Sequence, residues 1–381
     1  MSTLLAALPI VVLLGGIGFF HIKAHTAAIL GLLTALVIAV VGFGMPADMA
    51  GATAVYGAAY GLLPIGWIIL NVIFLYRLTE QTGQFNILRD SIAGITPDRR
   101  LQLLFIAFSF GAFFEGAAGF GTPVAVTAAM LMGLGFAPPL PAAGLSLIAN
   151  TAPVAYGALG TPVIALSAVT GGIDLMQLSG GMIGRQLPFF SVIVPFWLIW
   201  AFAGRKGMLE VWPALLVAGV AFAIPQYLVS NFHGPWLVDV VAAICSMAAL
   251  AAFLRVWQPK RIWTSTGQEG EVDAGPPMPA PPKHSTGTVF RAWTPPWLIL
   301  SVFVFLWGTP QFRTWLDSLW VWKMPVPPYL HNMVFKVPPV VAEAHSEAAI
   351  YTLNLLSATG TGILLSAVVG GWCWASTRSG C

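Results

Sequence analysis

Glu115 is the residue of this chain best suited to chemistry, because it stands alone in a long apolar stretch. The 58 residues after it, 116–173, contain no Asp, Glu, Lys, Arg or His, and the local sequence is GAFFEGAAGFGTP. An acidic side chain at the centre of a membrane helix costs about 2.5 to 3.5 kcal/mol. Burial also disfavours the ionised form of a carboxyl group. Glu115 is therefore predicted to carry a proton. The alternative is a carboxylate held by a structural hydrogen bond or by an aqueous vestibule.

A short repeat marks two further positions of interest. Residues 121–124 have the sequence GTPV, and residues 160–163 repeat it. Glycine and proline predict irregular backbone at both places, and a broken membrane helix exposes N–H groups that attract an anion. The repeat therefore favours a site for a small organic anion, with Gly121, Thr122, Pro123 and Thr161 among its candidates. The alternative is that the small residues only permit close helix packing.

Other polar residues near these segments are also candidates. Asn150, Thr151 and Tyr156 lie in a charge-free crossing, where they either line a cavity or bond to neighbouring helices. Arg185 opens a later apolar span and could steer an anion, although an arginine at that depth also serves as an interfacial anchor.

Composition excludes several classes of function. The chain is 57% hydrophobic and only 8% charged, which is typical of a polytopic membrane protein with the lipid bilayer as its solvent. The formal charge of +3 is small and scattered, so nucleic acid is not an expected partner. His21 and His25 have no accompanying carboxylate, and no metal site or cofactor is predicted. No nucleophile elbow is present, so an enzyme is not expected.

Apolar segments and basic loops predict how the chain crosses the membrane. The Arg and Lys residues in 77–100, 205–206 and 255–291 place these segments in the cytoplasm and the N-terminus outside. Eight apolar segments are long enough to cross, and they lie near 4–20, 26–44, 51–76, 187–203, 211–231, 236–254, 293–309 and 350–372.

The segment 101–184 should carry the site. A re-entrant hairpin over 101–136, bent at the glycine-rich motif, followed by one crossing broken at 150–163, satisfies the orientation of its flanks. The predicted organisation is three membrane helices and a cytoplasmic loop in 1–100, the site region 101–184, three helices in 185–257, a Pro-rich cytoplasmic loop 258–292, two helices with an external Trp-rich loop in 293–372 and an atypical tail 373–381.

Five motifs resemble the L-lactate permease family: GAFFEGAAGFGTPVAVTAAML from 111, NTAPVAYGALGTPV from 150, GRQLPF at 184–189, AWTPPW at 292–297 and SATGTGIL at 357–364. The likeness runs from about residue 4 to about residue 369. Carried over position by position, Glu115, Gly116, Gly119, Gly121, Thr122 and Pro123 occupy the first family motif, and Asn150, Thr151 and Pro153 occupy the second.

The resemblance implies a bacterial inner-membrane symporter that takes up L-lactate, and also D-lactate and glycolate, together with protons. Because family members continue beyond this length, it also implies an all-α polytopic transporter truncated after its first half to two-thirds, with the second half missing. The alternatives are an inactive pseudotransporter or membrane scaffold, and a carrier of another small organic anion. The oligomeric state stays open.

Overall fold

The structure is a computed structural model, and helices dominate it. Six of the described helices are long and apolar enough to cross a membrane, or seven crossings if one bent pair counts as a single span. The chain divides into two compact units, Met1–Pro64 with Val321–Leu353 and Ile65–Trp320 with Asn354–Cys381. The described residues are 2–119, 121–136, 139–170, 173–263, 284–293, 298–326, 330–338, 343–346 and 348–378.

The first unit combines three helices with four short strands. The helices are α1 (Ser2–Gly18), α2 (Ala24–Val37), which continues into a π-helical turn at Ile38–Gly42, and α3 (Ala47–Tyr60). The strands are β1 (Trp322–Pro325), β2 (Phe335–Lys336), β3 (His345–Ser346) and β4 (Ile350–Leu353). β1 pairs antiparallel with β4, and β2 pairs antiparallel with β3.

These strands correct two sequence predictions. The fold is predominantly helical rather than all-α, and the predicted span 350–372 is wrong at its start, because Ile350–Leu353 pairs with β1. Tyr351 also packs edge-on against Tyr60 of α3, with 5.1 Å between ring centroids. The last helix begins only at Thr359. In the sequence, a short and mainly apolar strand that precedes an apolar helix cannot be distinguished from one long membrane span.

The second unit contains the remaining helices, with a π-helical segment Gly61–Gly66 leading into it. They are α4 (Trp67–Gln81), α5 (Gln84–Ile95), α6 (Arg99–Leu103), α7 (Gly111–Ala117), α8 (Thr122–Gly133), α9 (Pro139–Ala149), α10 (Gly157–Thr170), α11 (Ile173–Glu210), α12 (Trp212–Phe232), α13 (Val238–Val256), α14 (Thr286–Trp293), α15 (Leu300–Gly308), α16 (Pro310–Leu319) and α17 (Thr359–Arg378). The predicted Pro-rich loop 258–292 falls largely on 264–283, outside the described residues.

One fully buried helix lies at the centre of the second unit. α6 and α7 are joined by the π-helical segment Leu104–Phe110, so that Arg99–Ala117 forms a single apolar helix whose residues are all buried. It packs against α8, α10 and α13. A helix that is apolar on every side belongs inside a larger bundle. Its last turn carries Glu115 into the interior.

The chain reverses direction after this helix. α8 runs back along it, with Gly111 against Thr127 and the Arg99 guanidinium donating to the carbonyl of Leu134. Residues 99 and 134 therefore lie at the same end of an antiparallel hairpin, which reverses direction between α7 and α8. The turn falls at the glycine-rich motif, where the sequence predicts it.

A second interruption follows in the next pair of helices. The axes of Leu140–Ala149 and Val154–Ile164 differ by 77°. Between them the chain forms a turn and one 3₁₀ segment, Val154–Tyr156. The structure thus contains a bent helix pair where the sequence predicts a broken crossing over 150–163.

A cluster of ion pairs stabilises the end of the hairpin that lies opposite Glu115. Arg100 pairs with Asp98 and with Glu210, both at 2.7 Å, and donates to the carbonyl of Arg261 at 2.8 Å. Its guanidinium also lies over the ring of Trp263, 4.6 Å from the centroid. Asp98 in addition caps α6 by accepting the amide hydrogen of Arg100. This cluster joins three segments that the sequence places on the cytoplasmic side.

Candidate functional site

Glu115 lies at the meeting point of the two helix interruptions. Its side chain is only 4% exposed, and among the described residues its Oε2 has no hydrogen-bond partner. The Asn150 side chain, at the end of α9, lies next to the carboxylate. Gly157, at the start of α10, lies so close that a Cβ there would be 2.2 Å from Oε1. The structure therefore brings together a lone carboxylate and both irregular segments.

The first interruption owes its shape to glycine. α7 ends at Ala117, and Gly119 follows with φ +62°. A Cβ on Gly119 would lie 2.9 Å from the amide nitrogen of Ala158. A residue with a side chain could not fill this position without moving the second interruption. Gly119 thus permits direct contact between the two breaks.

The second interruption contains left-handed backbone at residues other than glycine. Ala158 and Leu159 have φ values of 47° and 55°, and Gly160 follows at 75°. Left-handed conformations at such residues cost about 1 to 3 kcal/mol each and concentrate at ligand sites and switch regions. The neighbouring Thr161 hydroxyl donates to the Ala158 carbonyl at 2.5 Å. The strained turn is held in place locally.

Asp239 is a second buried carboxylate that the sequence interpretation missed. It lies in the first turn of α13, is 1% exposed, and neither carboxylate oxygen has a hydrogen-bond partner among the described residues. A Cβ on Gly116 would lie 3.0 Å from its Cβ. Asp239 opens an apolar span, a position at which a charged residue usually lies at the membrane interface. The sequence does contain a sign that Asp239 is unusual, because 211–268 contains no other Asp or Glu.

A row of polar side chains leads outward from the carboxylates. Tyr156 is fully buried, and its hydroxyl donates to the Gly180 carbonyl at 2.6 Å. Ser230 lies near Tyr156, since a Cβ on Gly184 would lie 1.7 Å from the Ser230 hydroxyl oxygen and 3.0 Å from that of Tyr156, and Ser230 accepts a hydrogen bond from the Asn231 side-chain amide at 3.2 Å. Arg185 donates to Asn231 at 3.0 Å. The row ends at a cavity of about 670 Å³ lined by Gln177, Leu178, Gly181, Met182, Arg185 and Asn231.

The predicted site residues do not all meet at one point. Glu115, Gly116, Gly119, Asn150 and Tyr156 lie together, whereas Arg185 lies at the cavity mouth. Three others are positioned differently: Gly121 and Thr151 are exposed, with the Thr151 hydroxyl donating to the carbonyl of Ile148, and Thr161 is half-buried. Thr122 begins α8, and the buried Pro123 follows it.

The arrangement combines groups that can hold a proton with groups that can bind an anion. Two buried carboxyl groups, three hydroxyl or amide side chains and two helix beginnings lie close together. Within the described residues there is no group of three or more His, Cys, Asp or Glu that could hold a metal ion.

Comparisons with known proteins assign the chain to a family. The sequence model of L-lactate permease matches residues 2–378. The L-lactate permeases of Salmonella typhimurium and Bacillus subtilis are 47% and 46% identical to this chain, and a glycolate permease of Escherichia coli is 47% identical. Each alignment covers 97% of this chain and 67% of the relative. No solved structure matches the chain significantly.

The same comparisons correct the predicted truncation. The likeness was expected to stop near residue 369 and the tail to be atypical, but the family match continues to residue 378. The relatives align with 97% of the chain, and the chain spans about two thirds of their length. With a match that covers nearly all of its residues, this multi-pass membrane protein belongs to the L-lactate permease family.

Proposed function

We propose that this chain takes up L-lactate, and also D-lactate and glycolate, across the bacterial inner membrane together with protons. Transport of lactate or glycolate is supported by relatives about 47% identical that are named L-lactate permease and glycolate permease. The observation that carries proton coupling is Glu115, a buried carboxylate with one unpartnered oxygen where two helix interruptions meet. An ionisable group at membrane depth is by default a substrate or proton site.

The substrate's carboxylate would bind at the helix interruptions. α8 begins at Thr122 after the first interruption, and the free N–H groups of a helix start favour an anion. Asn150 and Tyr156 supply polar groups for the substrate hydroxyl. Gly116 and Gly119 would serve the site by permitting the close approach of α13 and α10. Thr161 would support the second interruption rather than contact the substrate.

Arg185 would attract the substrate to the cavity. It is the one cation among the cavity's lining residues, and its side chain is exposed. A single positive charge suits a monocarboxylate such as lactate, whereas a dicarboxylate calls for a second cationic group. Electrostatic attraction of this kind raises the local concentration of an anion.

The hairpin of Arg99–Ala117 and α8 would be re-entrant. Its two ends lie together beside the cluster of Arg100, Asp98 and Glu210, which supports a cytoplasmic position for both ends. Irregular backbone at membrane depth is tolerated where protein covers it, and Ala118 and Gly119, which follow α7, are both buried. Single cysteines at Gly94 and Met132, exposed positions near the two ends of the hairpin, should then be labelled from the same side of the membrane in a cysteine-free background.

The central experiment is uptake of labelled L-lactate into proteoliposomes driven by an inward proton gradient. We expect uptake by the wild-type chain, its loss when a protonophore collapses the gradient, and its loss in Glu115→Gln. Glu80→Gln, which changes an exposed carboxylate on α4, should leave uptake unchanged. Unlabelled D-lactate and glycolate should compete, and succinate should not.

Two results would contradict the proposal. Lactate uptake at a rate that does not depend on the proton gradient would contradict proton symport, even though lactate is transported. If gradient-driven uptake in Glu115→Gln equals that of the wild type, Glu115 is not the proton carrier. Empty vesicles provide the baseline for both comparisons.

A further inference from the structure

A second carboxyl group lies beside Glu115 in the interior of the bundle. Gly116 packs against the start of α13, where a Cβ would lie 2.8 Å from the amide nitrogen of Val240 and 3.0 Å from the Cβ of Asp239. Three oxygens of the two side chains, Glu115 Oε2 and both of Asp239, lack hydrogen-bond partners among the described residues. Buried polar atoms are normally satisfied, so three such atoms in one place require an explanation.

No cation of the surrounding helices balances these carboxyl groups. α8, α9 and α10 contain no Asp, Glu, Lys, Arg or His. On α11, Arg185 bonds to Asn231, and at the end of α12 the ring of His233 lies against Trp236. The other titratable group facing the pair is the Tyr156 hydroxyl, which donates to the Gly180 carbonyl.

Two neighbouring carboxyl groups without a cation cannot both ionise readily. Like charges at short range repel, and each ionised group also loses its hydration on burial. A proton retained by the pair relieves both effects, and the two groups then titrate as one coupled unit. The unpartnered oxygens are the atoms on which such a proton would reside.

We propose that Asp239 is a second proton carrier, which together with Glu115 forms the carboxyl pair that holds the transported proton. This inference rests on the proposed proton symport and adds a residue to it. One proton binds to a carboxylate oxygen of the pair on loading and leaves from the same pair on release, so no other group changes its charge.

The polar row toward the cavity provides a path for that proton. Asn231 borders the cavity, Ser230 accepts its hydrogen bond, and the hydroxyl groups of Ser230 and Tyr156 both lie against Gly184. Tyr156 packs with Val238, the residue before Asp239, and directly precedes Gly157, which lies against Glu115. Ser230 and Tyr156 supply the hydroxyl groups of this path, and each can take up one proton while it gives up its own, so neither becomes charged.

The test compares two transport modes in Asp239→Asn proteoliposomes. Gradient-driven lactate uptake requires the proton to load and unload, whereas lactate counterflow exchanges substrate without net proton movement. We expect gradient-driven uptake to fall at least about tenfold and counterflow to stay within about twofold of the wild type. Asp48→Asn, an exposed aspartate outside the second unit, should leave both modes unchanged.

An infrared measurement tests the pair without transport. The C=O stretch of protonated carboxyl groups is followed against pH in purified wild-type protein, Asp239→Asn and Glu115→Gln. We expect a component that disappears in each variant and a changed titration midpoint for the carboxyl group that remains. If Asp239→Asn does not insert into the membrane, the Asp239 signal in Glu115→Gln decides, and an unchanged midpoint there overturns the pair.

Failure of this inference differs from failure of the proposed function. Asp239→Asn with wild-type gradient-driven uptake would overturn the role of Asp239 and leave the symport intact. A wild-type chain that carries lactate in neither mode would overturn the proposed function, while the infrared titration would still report whether the two carboxyl groups are coupled.

Discussion

Gly157 lies directly against Glu115, so close that a methyl group at position 157 would be 2.2 Å from the carboxylate oxygen Oε1 and clash with it. The start of α10 and the buried carboxylate are therefore fitted to each other. A movement of the second interruption must change the surroundings of Glu115, and a change at Glu115 must act on the interruption. Such a contact is a physical means of coupling proton binding to a conformational step.

Gly157→Ala should abolish gradient-driven lactate uptake while leaving the protein in the membrane. The added methyl group displaces the Glu115 carboxylate, and a change of about 1 Å at a reacting group can cost on the order of a hundredfold in rate. The measurement is the initial rate of uptake in proteoliposomes at matched protein content. Gly144→Ala on α9, where a Cβ meets no atom within 4 Å, is the matched control. Equal rates in the two variants would show that the contact has no functional role.

Ala158→Gly should stabilise the protein. Ala158 has φ 47°, a conformation that glycine adopts without steric penalty. Relief of that strain should exceed the extra entropy of glycine in the unfolded chain and raise stability by about 1 kcal/mol. Thermal unfolding in detergent, followed by tryptophan fluorescence, measures the change. An unchanged or lower midpoint would mean that the left-handed turn is not strained.

Gly160→Ala should have the opposite effect on the same turn. Gly160 has φ 75°, and a Cβ there would lie 2.5 Å from the carbonyl oxygen of Pro235. Both the backbone conformation and the contact disfavour a side chain, and a loss of about 1 to 3 kcal/mol is expected. The same unfolding assay reports it. If the variant is as stable as the wild type, residues 234–235 lie farther from the turn at Gly160 than the structure indicates.

The sequence predicted those parts of the site that depend on local composition. Glu115 was detectable as one charge in an apolar stretch, and both interruptions were detectable from glycine and proline. Asp239 was not, because its burial results from the packing of α13 on Gly116, which is a contact between residues more than a hundred positions apart. Strand β4 was missed for a related reason: its partner Trp322–Pro325 is distant in sequence, and four apolar residues alone do not distinguish a strand from a helix.

Arg185→Gln should weaken lactate binding in a manner that depends on salt. The exposed guanidinium at the cavity mouth attracts an anion with at most about 1 kcal/mol, which corresponds to a rise in KM of about two- to fivefold. The maximal rate should stay unchanged, and the difference should shrink at high ionic strength because salt screens the charge. Arg205→Gln, an exposed arginine near the other end of α11, is the control. A KM effect that is independent of salt would argue against electrostatic attraction.

Arg100→Gln should destabilise the protein more than any exposed charge substitution. Arg100 and Asp98 form an ion pair at 2.7 Å with both side chains fully buried. Removal of one partner leaves a buried charge without compensation, which costs about 3 to 5 kcal/mol. The fraction of monodisperse protein after heating measures the loss. Arg77→Gln breaks an exposed pair with Glu80 and should cost no more than about 0.5 kcal/mol.

A double-mutant cycle separates the ion pair from the other contacts of Arg100. In Arg100→Gln, the further substitution Asp98→Asn removes the uncompensated carboxylate and should recover part of the lost stability. Asp98→Asn alone should destabilise, since it also weakens the cap of α6 and leaves the guanidinium with Glu210 alone. Strictly additive effects of the two substitutions would mean that the pair itself contributes nothing. In that case the contribution of Arg100 to stability would come from its contacts with α11, the ion pair with Glu210 at 2.7 Å and the bond to the Gly207 carbonyl at 3.0 Å.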